Sequence, residues 1–258
     1  MTGVADVVAV AVVGASGRMG AQVCAAVEAA DGLELVGTYD VGDPLGDLAG
    51  AHVVVEFSVP DASPANVAHC VERGVHVVVG TTGWTPERLE SLGAVIAQAP
   101  PAQTGTGVGV LVAPNFAIGA LLMTSFAAQA APYYESVEVI ELHHPQKVDA
   151  PSGTAARTAS LVAAARREAG LGDVPDATTS DPGGARGARV DGIHVHSVRL
   201  RGLVAHQEVL LGGAGEQLTI RHDSFDRESF MPGVLEGVRR VADHPGLTVG
   251  LEHYLGLG

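Results

Sequence analysis

Val7-Val8-Ala9-Val10-Ala11-Val12-Val13, followed at once by Gly14-Ala15-Ser16-Gly17-Arg18-Met19-Gly20, is the stretch whose reading decides the fold of this chain. Seven apolar, mostly β-branched residues without polar alternation describe a strand buried on both faces, as in a parallel sheet. The pattern that follows to Ala30 puts Met19, Val23 and Val27 on one face of a helix. A Gly-x-x-Gly-x-x-Gly turn between strand and helix lets backbone approach a pyrophosphate, which the unpaired N–H groups and partial positive charge of the helix start then hold. The spacing departs from the usual G-x-G-x-x-G, so a plain strand-to-helix turn is the competing reading.

Outward from this point the rhythm repeats. Leu33–Tyr39 is a second strand, ending at Asp40, and 53–57, 75–79 and 108–112 supply further strands with helical patterns over 64–73 and 86–97 between them. Strands alternating with amphipathic helices predict a Rossmann-like α/β domain with a doubly wound parallel sheet over residues 1–115. Residues 225–242 return to helical spacing, and 247–257 could add one more strand or helix to that domain. Residues 116–224 read differently. An apolar helix (117–130), an alternating strand (136–142) and a helix (153–169) precede a Gly-, Pro- and Asp-rich loop over 171–191. Strands at 193–200, 204–211 and 217–221 follow, expected to be antiparallel. A second α/β domain with an open, mostly antiparallel sheet is the expectation here.

Composition limits the partners. The 258 residues carry 15 Lys+Arg against 29 Asp+Glu, a net charge of −14, so no basic surplus exists to release counterions from nucleic acid or to meet an anionic membrane. An anionic ligand must be met by local positive groups. The two cysteines, Cys24 and Cys70, fall in helical patterns without CxxC or His spacing, which argues against a disulfide framework or a zinc site, and no metal is expected. No signal-peptide pattern and no run of ~18 apolar residues is seen, so the expectation is a soluble cytoplasmic protein. Fourteen of the basic residues are Arg; Lys147 is the single Lys.

Three segments supplement the glycine turn as cofactor candidates. Asp40 ends strand two, where an acid accepts hydrogen bonds from the adenosine ribose, with a helix cap as the alternative. Val41 follows it and supplies no cation for a 2′-phosphate, so NADH should be accepted well; Arg18 in the glycine loop keeps NADPH open. Gly80-Thr81-Thr82-Gly83 and Ala113-Pro114-Asn115-Phe116 follow strands at their carboxyl ends, where ligands of open α/β sheets collect. A tight turn and a helix cap at Asn115 are the bland alternatives.

The densest polar constellation is Glu141-Leu142-His143-His144-Pro145-Gln146-Lys147-Val148-Asp149-Ala150-Pro151-Ser152-Gly153-Thr154-Ala155. Two imidazoles and one ammonium leave a strand and enter a helix, the kind of loop on which sites are mounted. Ser152 can cap that helix, leaving the start at Gly153 and Thr154 to meet a carboxylate. With Lys147 and an imidazole beside it, the loop suits a small dicarboxylate, and a His has the right range for general acid work near neutrality. Of the other histidines, 52, 69, 76, 194, 196, 222, 244 and 253 read as satisfied or exposed, and His206 is undecided.

GASGRMG (14–20), GTTG (80–83), APNF (113–116), ELHHPQKVDAPSGTA (141–155), RGLVAHQEV (201–209) and GEQLTIRHDSFDR (215–227) together resemble the bacterial 4-hydroxy-tetrahydrodipicolinate reductase family, also called dihydrodipicolinate reductase, of the diaminopimelate and lysine pathway. The resemblance runs nearly end to end. It implies a Rossmann half binding NADH or NADPH, to which 225–258 as a whole returns, and a substrate-binding and oligomerisation domain over 116–224 that takes a small cyclic dicarboxylate. A homotetramer joined through the second-domain sheets is implied as well. Carried onto matching positions, His143 looks like the proton donor and Lys147 like a substrate-binding, proton-supplying partner. His144, Gly153 and Thr154 look like substrate contacts. Gly14, Ala15, Ser16, Gly17, Arg18, Met19, Asp40, Gly80, Thr81, Thr82, Ala113, Pro114, Asn115 and Phe116 look like cofactor contacts. The sequence departs from the family's Gly-Glu-His at Ala205-His206-Gln207, so His206 receives no role.

Overall fold

A computed structural model describes residues 7–257; residues 1–6 and 258, which the sequence reading counts in its first domain, lie outside the described residues. In chain order the first elements are β1 (Val8–Val13), α1 (Arg18–Ala29), β2 (Leu33–Tyr39), β3 (Val53–Glu56), α2 (Ser63–Val71), β4 (His76–Val79), α3 (Pro86–Ile96) and β5 (Gly109–Val112). Then come α4 (Ile118–Ala130), β6 (Ser136–His143), α5 (Gly153–Glu168), β7 (Ala188–Val190), β8 (Ile193–Arg199), β9 (Ala205–Gly213), β10 (Glu216–Ser224), α6 (Met231–Arg240) and β11 (Gly246–Val249). The chain forms two compact units, one of the described residues up to Phe116 and from Phe230 onward, the other of Ala117–Ser229. Among the described residues no helix is long and apolar enough to cross a membrane.

The first unit is a six-stranded sheet of order β11-β5-β4-β3-β1-β2, parallel throughout. Every residue of β3, β4 and β5 is buried, which explains their unbroken Val-rich sequences. The chain runs outward from β1 to β2 on one side and, after crossing back, to β3 on the other. The carboxyl ends of β1 and β3 thus flank a topological switch point, the crevice where open α/β sheets hold ligands. Helix α1 is laid against the sheet by Gly20, Val23 and Val27. Gly20 has no alternative: a Cβ there would lie 2.0 Å from the Gly14 carbonyl oxygen.

The second unit is a five-stranded sheet of order β10-β9-β6-β8-β7. Helices α4 and α5 close one face over a core that includes Met123, Ala127, Val137, Val139, Ala159, Val162, Val209 and Leu211. A hydroxyl pair, Thr124 to Thr158 at 2.8 Å, joins the two helices, and Gln207 donates to Thr158 at 2.9 Å. Two details depart from the sequence reading. Strand β8 is parallel to β6, not antiparallel, because α5 intervenes and returns the chain by a crossover. The segment 171–191, expected as one long loop, contains β7, which turns into β8 through Asp191 (φ 49°) and Gly192 (φ 92°). An Asp-Gly pair between β-branched residues is a hairpin signal, since both positions need positive φ. The rest of that loop is tied down: His194 Nε2 meets Asp176 at 3.0 Å, its Nδ1 donates to the Arg186 carbonyl at 2.8 Å, and Arg186 and His196 both reach Glu138.

Candidate active site

In the first unit the cofactor candidates converge on the switch point. Gly14 N–H donates to the Tyr39 carbonyl at 2.7 Å, which sets the glycine loop against the end of β2. Asp40 then accepts from the Ser16 backbone N–H at 3.1 Å and from its hydroxyl at 2.8 Å. The carboxylate therefore braces the glycine loop and caps no helix. Helix α1 begins at Arg18 without a capping side chain on its first N–H groups. Ser16, Gly17 and Arg18 are exposed, Met19 is half-buried and Ala15 is packed inward.

The other two loops meet at Phe57, a residue the sequence reading treated only as a strand end. A Cβ on Gly14 would lie 2.3 Å from the Phe57 carbonyl oxygen, and one on Gly80 would lie 2.1 Å from the Phe57 ring. Phe116, buried at the end of the Ala113–Phe116 segment, stacks obliquely on Phe57 with ring centroids 5.8 Å apart. Arg88 crosses between strands' ends, donating to the carbonyls of Pro60 and Gly83 at 2.9 Å each. The Thr81 hydroxyl is buried with no hydrogen-bond partner, while Thr82 and Pro114 are exposed and Asn115 is half-buried.

In the second unit the polar constellation forms one connected cluster. Strand β6 ends with Glu141 and His143 on the same face, two residues apart, and β8 places Arg199 in register with His143. Glu141 is fully buried. It accepts from Arg199 through both oxygens, at 2.7 and 2.8 Å, from the Ser152 N–H at 3.2 Å, and from His143 Nδ1. Burial works to raise the Glu141 carboxyl, but the Arg199, Ser197 and His143 hydrogen bonds outweigh it and hold it below the usual range. For His143, burial dominates and pulls the imidazole below its ordinary value; Glu141 opposes this, and Lys147 and Arg199 add to it.

Lys147 donates to Asp149 at 2.8 Å, and the loop is tied back by Arg199 donating to the Asp149 carbonyl at 2.8 Å. Ser152 caps α5, accepting from the Ala155 N–H at 3.2 Å, and so fixes the helix start at Gly153 next to the Lys147 loop. His144 Nδ1 is buried with no hydrogen-bond partner. An imidazole, an ammonium and a capped helix start on one short segment are groups suited to an anion. Sequence reasoning missed Glu141 and Arg199 as functional groups, although the two-residue spacing of Glu141 and His143 on a strand marks them as neighbours. His206, left undecided, is fully occupied: Nδ1 donates to Asp223 at 2.6 Å and Nε2 accepts from the Val204 N–H at 3.2 Å.

Comparison with known proteins matches both units. The family model described as dihydrodipicolinate reductase, N-terminus, matches residues 8–116, and that described as dihydrodipicolinate reductase, C-terminus, matches residues 119–255. The chain is 60% identical over 248 residues to a 4-hydroxy-tetrahydrodipicolinate reductase of Cutibacterium acnes, covering 96% of this chain and 98% of the relative. It is 60% identical over 250 residues to that of Streptomyces griseus, with the same coverage. Among solved structures, the dipicolinate-bound dihydrodipicolinate reductase from Paenisporosarcina sp. TG-14 is similar with a TM-score of 0.79 and 37% identity, covering 95% of this chain and 98% of that one.

Proposed function

The chain belongs to the dihydrodipicolinate reductase family, and from that premise we propose that it performs the NAD(P)H-dependent reduction of 4-hydroxy-tetrahydrodipicolinate (dihydrodipicolinate) to tetrahydrodipicolinate in diaminopimelate and lysine biosynthesis. The observation that carries this reading is the cluster at the end of β6, where Glu141 binds both His143 and the Ser152 N–H at the capped start of α5 and the Lys147 charge acts on His143, in a chain whose net charge is −14. Short hydrogen-bonded contacts there outweigh an overall field that salt screens within about 8–10 Å.

The first unit fits a nicotinamide dinucleotide. The uncapped α1 start and Gly14–Met19 suit the pyrophosphate, Asp40 the adenosine ribose, and Gly80–Thr82 with Ala113–Phe116 the nicotinamide end, where the buried Thr81 hydroxyl has no other partner. When bound, the reduced nucleotide supplies the hydride. Val41 offers no cation to a 2′-phosphate and Arg18 stands exposed on the first turn of α1, so NADH is used well and NADPH is accepted. On the substrate side, Lys147, His144 and the helix start at Gly153 and Thr154 hold the ring carboxylates. Reduction leaves electron density on a ring carbon, which His143 quenches by delivering a proton.

A homotetramer in the cytoplasm completes the reading. Helices cover only one face of the second sheet; on the other, Ile140, Leu142, Val198 and Leu210 are left partly exposed among Glu138, His196 and Glu208, a mixed apolar and polar face suited to a second copy. Cys24 and Cys70 are both free thiols, in keeping with a reducing compartment. The test of function is the steady loss of reduced-nicotinamide absorbance with the condensation product of pyruvate and aspartate semialdehyde. Cofactor binding without turnover would instead make the chain a nicotinamide-sensing module.

A further inference from the structure

Glu141 has no solvent exposure and is met by donors from β8, from His143 and from the start of α5. Its Oε1 takes Arg199 Nη2 at 2.7 Å and the Ser152 N–H at 3.2 Å; its Oε2 takes Arg199 Nη1 at 2.8 Å and His143 Nδ1. Arg199 Nη2 is shared with the Asp149 carbonyl at 2.8 Å, two residues beyond Lys147. An ionised carboxylate only accepts hydrogen bonds, and Arg199 is permanently charged, so the hydrogen between Glu141 and His143 belongs to the ring. The neutral ring then has its hydrogen on Nδ1, and Nε2 is the atom that gains and gives a proton.

We propose that Glu141 and Arg199 are a positioning pair for the reductase reaction: Glu141 holds His143 in its Nδ1–H form with Nε2 as the proton-exchanging atom, and Arg199 locks Glu141 and the Lys147 loop into one frame. The proposal rests on the assignment of His143 as the proton donor. In the step itself, the imidazolium gives its Nε2 hydrogen to the ring carbon beside the one that received hydride, and becomes the neutral Nδ1–H ring. Glu141 stays ionised throughout, and His143 regains its proton from solvent. The charged groups facing His143 are Glu141 on its own strand, Arg199 on β8 and Lys147 on the following loop, the last paired with Asp149. Glu141 is the one anion among those that touch it, so its loss removes what holds the imidazolium form up.

The test uses the full-length enzyme with ¹⁵N-labelled histidine and the variants Glu141→Gln, Arg199→Lys and His143→Gln. In the wild type above neutral pH, His143 is expected to show a protonated Nδ1 and a bare Nε2. In Glu141→Gln the ring should become a mixture of tautomers, kcat should fall about 10–100-fold, the scale of a lost hydrogen bond to a charged group, and KM for the dicarboxylate should change little. The alkaline decline of kcat/KM should move to lower pH. Should Glu141→Gln fail to fold, Arg199→Lys keeps the positive charge but cannot bridge both carboxylate oxygens and the Asp149 carbonyl, and is expected to lower kcat with the same pH displacement. A folded variant with reduced activity but the wild-type tautomer and pH profile would overturn the proposal, leaving only a structural ion pair. Near-normal turnover by His143→Gln would overturn the assignment of the acid itself, a separate failure that the tautomer spectrum of the wild type does not depend on.

Discussion

The ring of Phe57 occupies the space that a side chain on Gly80 would need: a Cβ at Gly80 would lie 2.1 Å from it. The same residue's carbonyl oxygen excludes a Cβ from Gly14, at 2.3 Å, where φ is +83° as well. One clash is with a side chain and the other with backbone, and they should respond differently to the same second mutation. Gly80→Ala is expected to cost about 1–3 kcal/mol, as overpacking does, and to raise KM for NADH. Gly80→Ala combined with Phe57→Leu should recover part of that cost in a double-mutant cycle followed by urea unfolding. Gly14→Ala should not be rescued by Phe57→Leu. Equal rescue of both would mean that Phe57 is not the contact that dictates either glycine.

Asp40 and Ser16 set the second prediction. The carboxylate already holds the Ser16 N–H and hydroxyl at 3.1 and 2.8 Å, so it is ordered before any nucleotide arrives and aimed from the end of β2 toward the glycine loop. Asp40→Ala should raise KM for NADH about 10-fold or more, the scale of a lost hydrogen bond to a charged group. The penalty for NADPH should be smaller, because removing the anion also removes repulsion of a 2′-phosphate. Arg18→Ala should weaken NADPH and spare NADH. Comparison of kcat/KM for the two nucleotides decides it; equal losses for both in Asp40→Ala would assign the residue to loop structure alone.

Stability should depend on pH through buried imidazoles. His76 is fully buried, its Nδ1 accepting from the Gly109 N–H at 2.9 Å and its Nε2 reaching Thr104 at 3.1 Å. Burial, assisted by His52, pulls it below the ordinary value; burial does the same to His222 and His143. The unfolded chain, with histidines near about 6.5, then binds protons more readily than the fold, so stability is complete above that pH and is lost as pH falls through the lower folded values. Self-repulsion from the −14 net charge relaxes over the same interval and acts in the opposite sense. The diagnostic is therefore the difference between wild type and His76→Gln: the wild-type urea midpoint should fall more steeply between about pH 7.5 and 5.5. Parallel curves would show that His76 is not the titrating group.

The parts of this molecule legible in the sequence are those where one local rule acts alone. The Val-rich strands β3 and β4 and the Gly14–Gly20 turn follow from burial on both faces and from positive φ or close approach. His143, Lys147 and the Ser152 cap share one short segment, and the Ser152 side chain accepts as the pattern demands. What was not legible depended on partners distant in sequence. Arg199 lies 58 residues beyond Glu141 and meets it only because α5 makes β8 parallel to β6, a crossover that alternation within β8 cannot reveal. Phe57 became a hub because three strands of a parallel sheet end side by side, which is a property of strand order and not of Phe57's neighbours. The Asp191-Gly192 turn was available from its two residues, but the Gly- and Pro-rich stretch before it masked the signal.

Lys147 provides the last prediction. In a chain with fourteen Arg and one Lys, the ammonium stands in the one loop that also carries His143 and His144, and it is held by Asp149 at 2.8 Å. If only positive charge were needed to hold a carboxylate, Arg would serve as well, with a fork that binds carboxylates through two hydrogen bonds. An ammonium differs in being compact, freely rotating and able to release a proton, whereas guanidinium stays charged at any working pH. Lys147→Ala should lower kcat roughly 10²–10⁴-fold, the range for a positioned proton donor or its partner. Lys147→Arg should keep KM for the dicarboxylate within a few-fold and still lose most of kcat. Steady-state rates for both, with kcat and KM resolved separately, distinguish the roles. A Lys147→Arg enzyme with near-normal kcat would reduce Lys147 to a carboxylate anchor, and a loss confined to KM in Lys147→Ala would say the same from the other side.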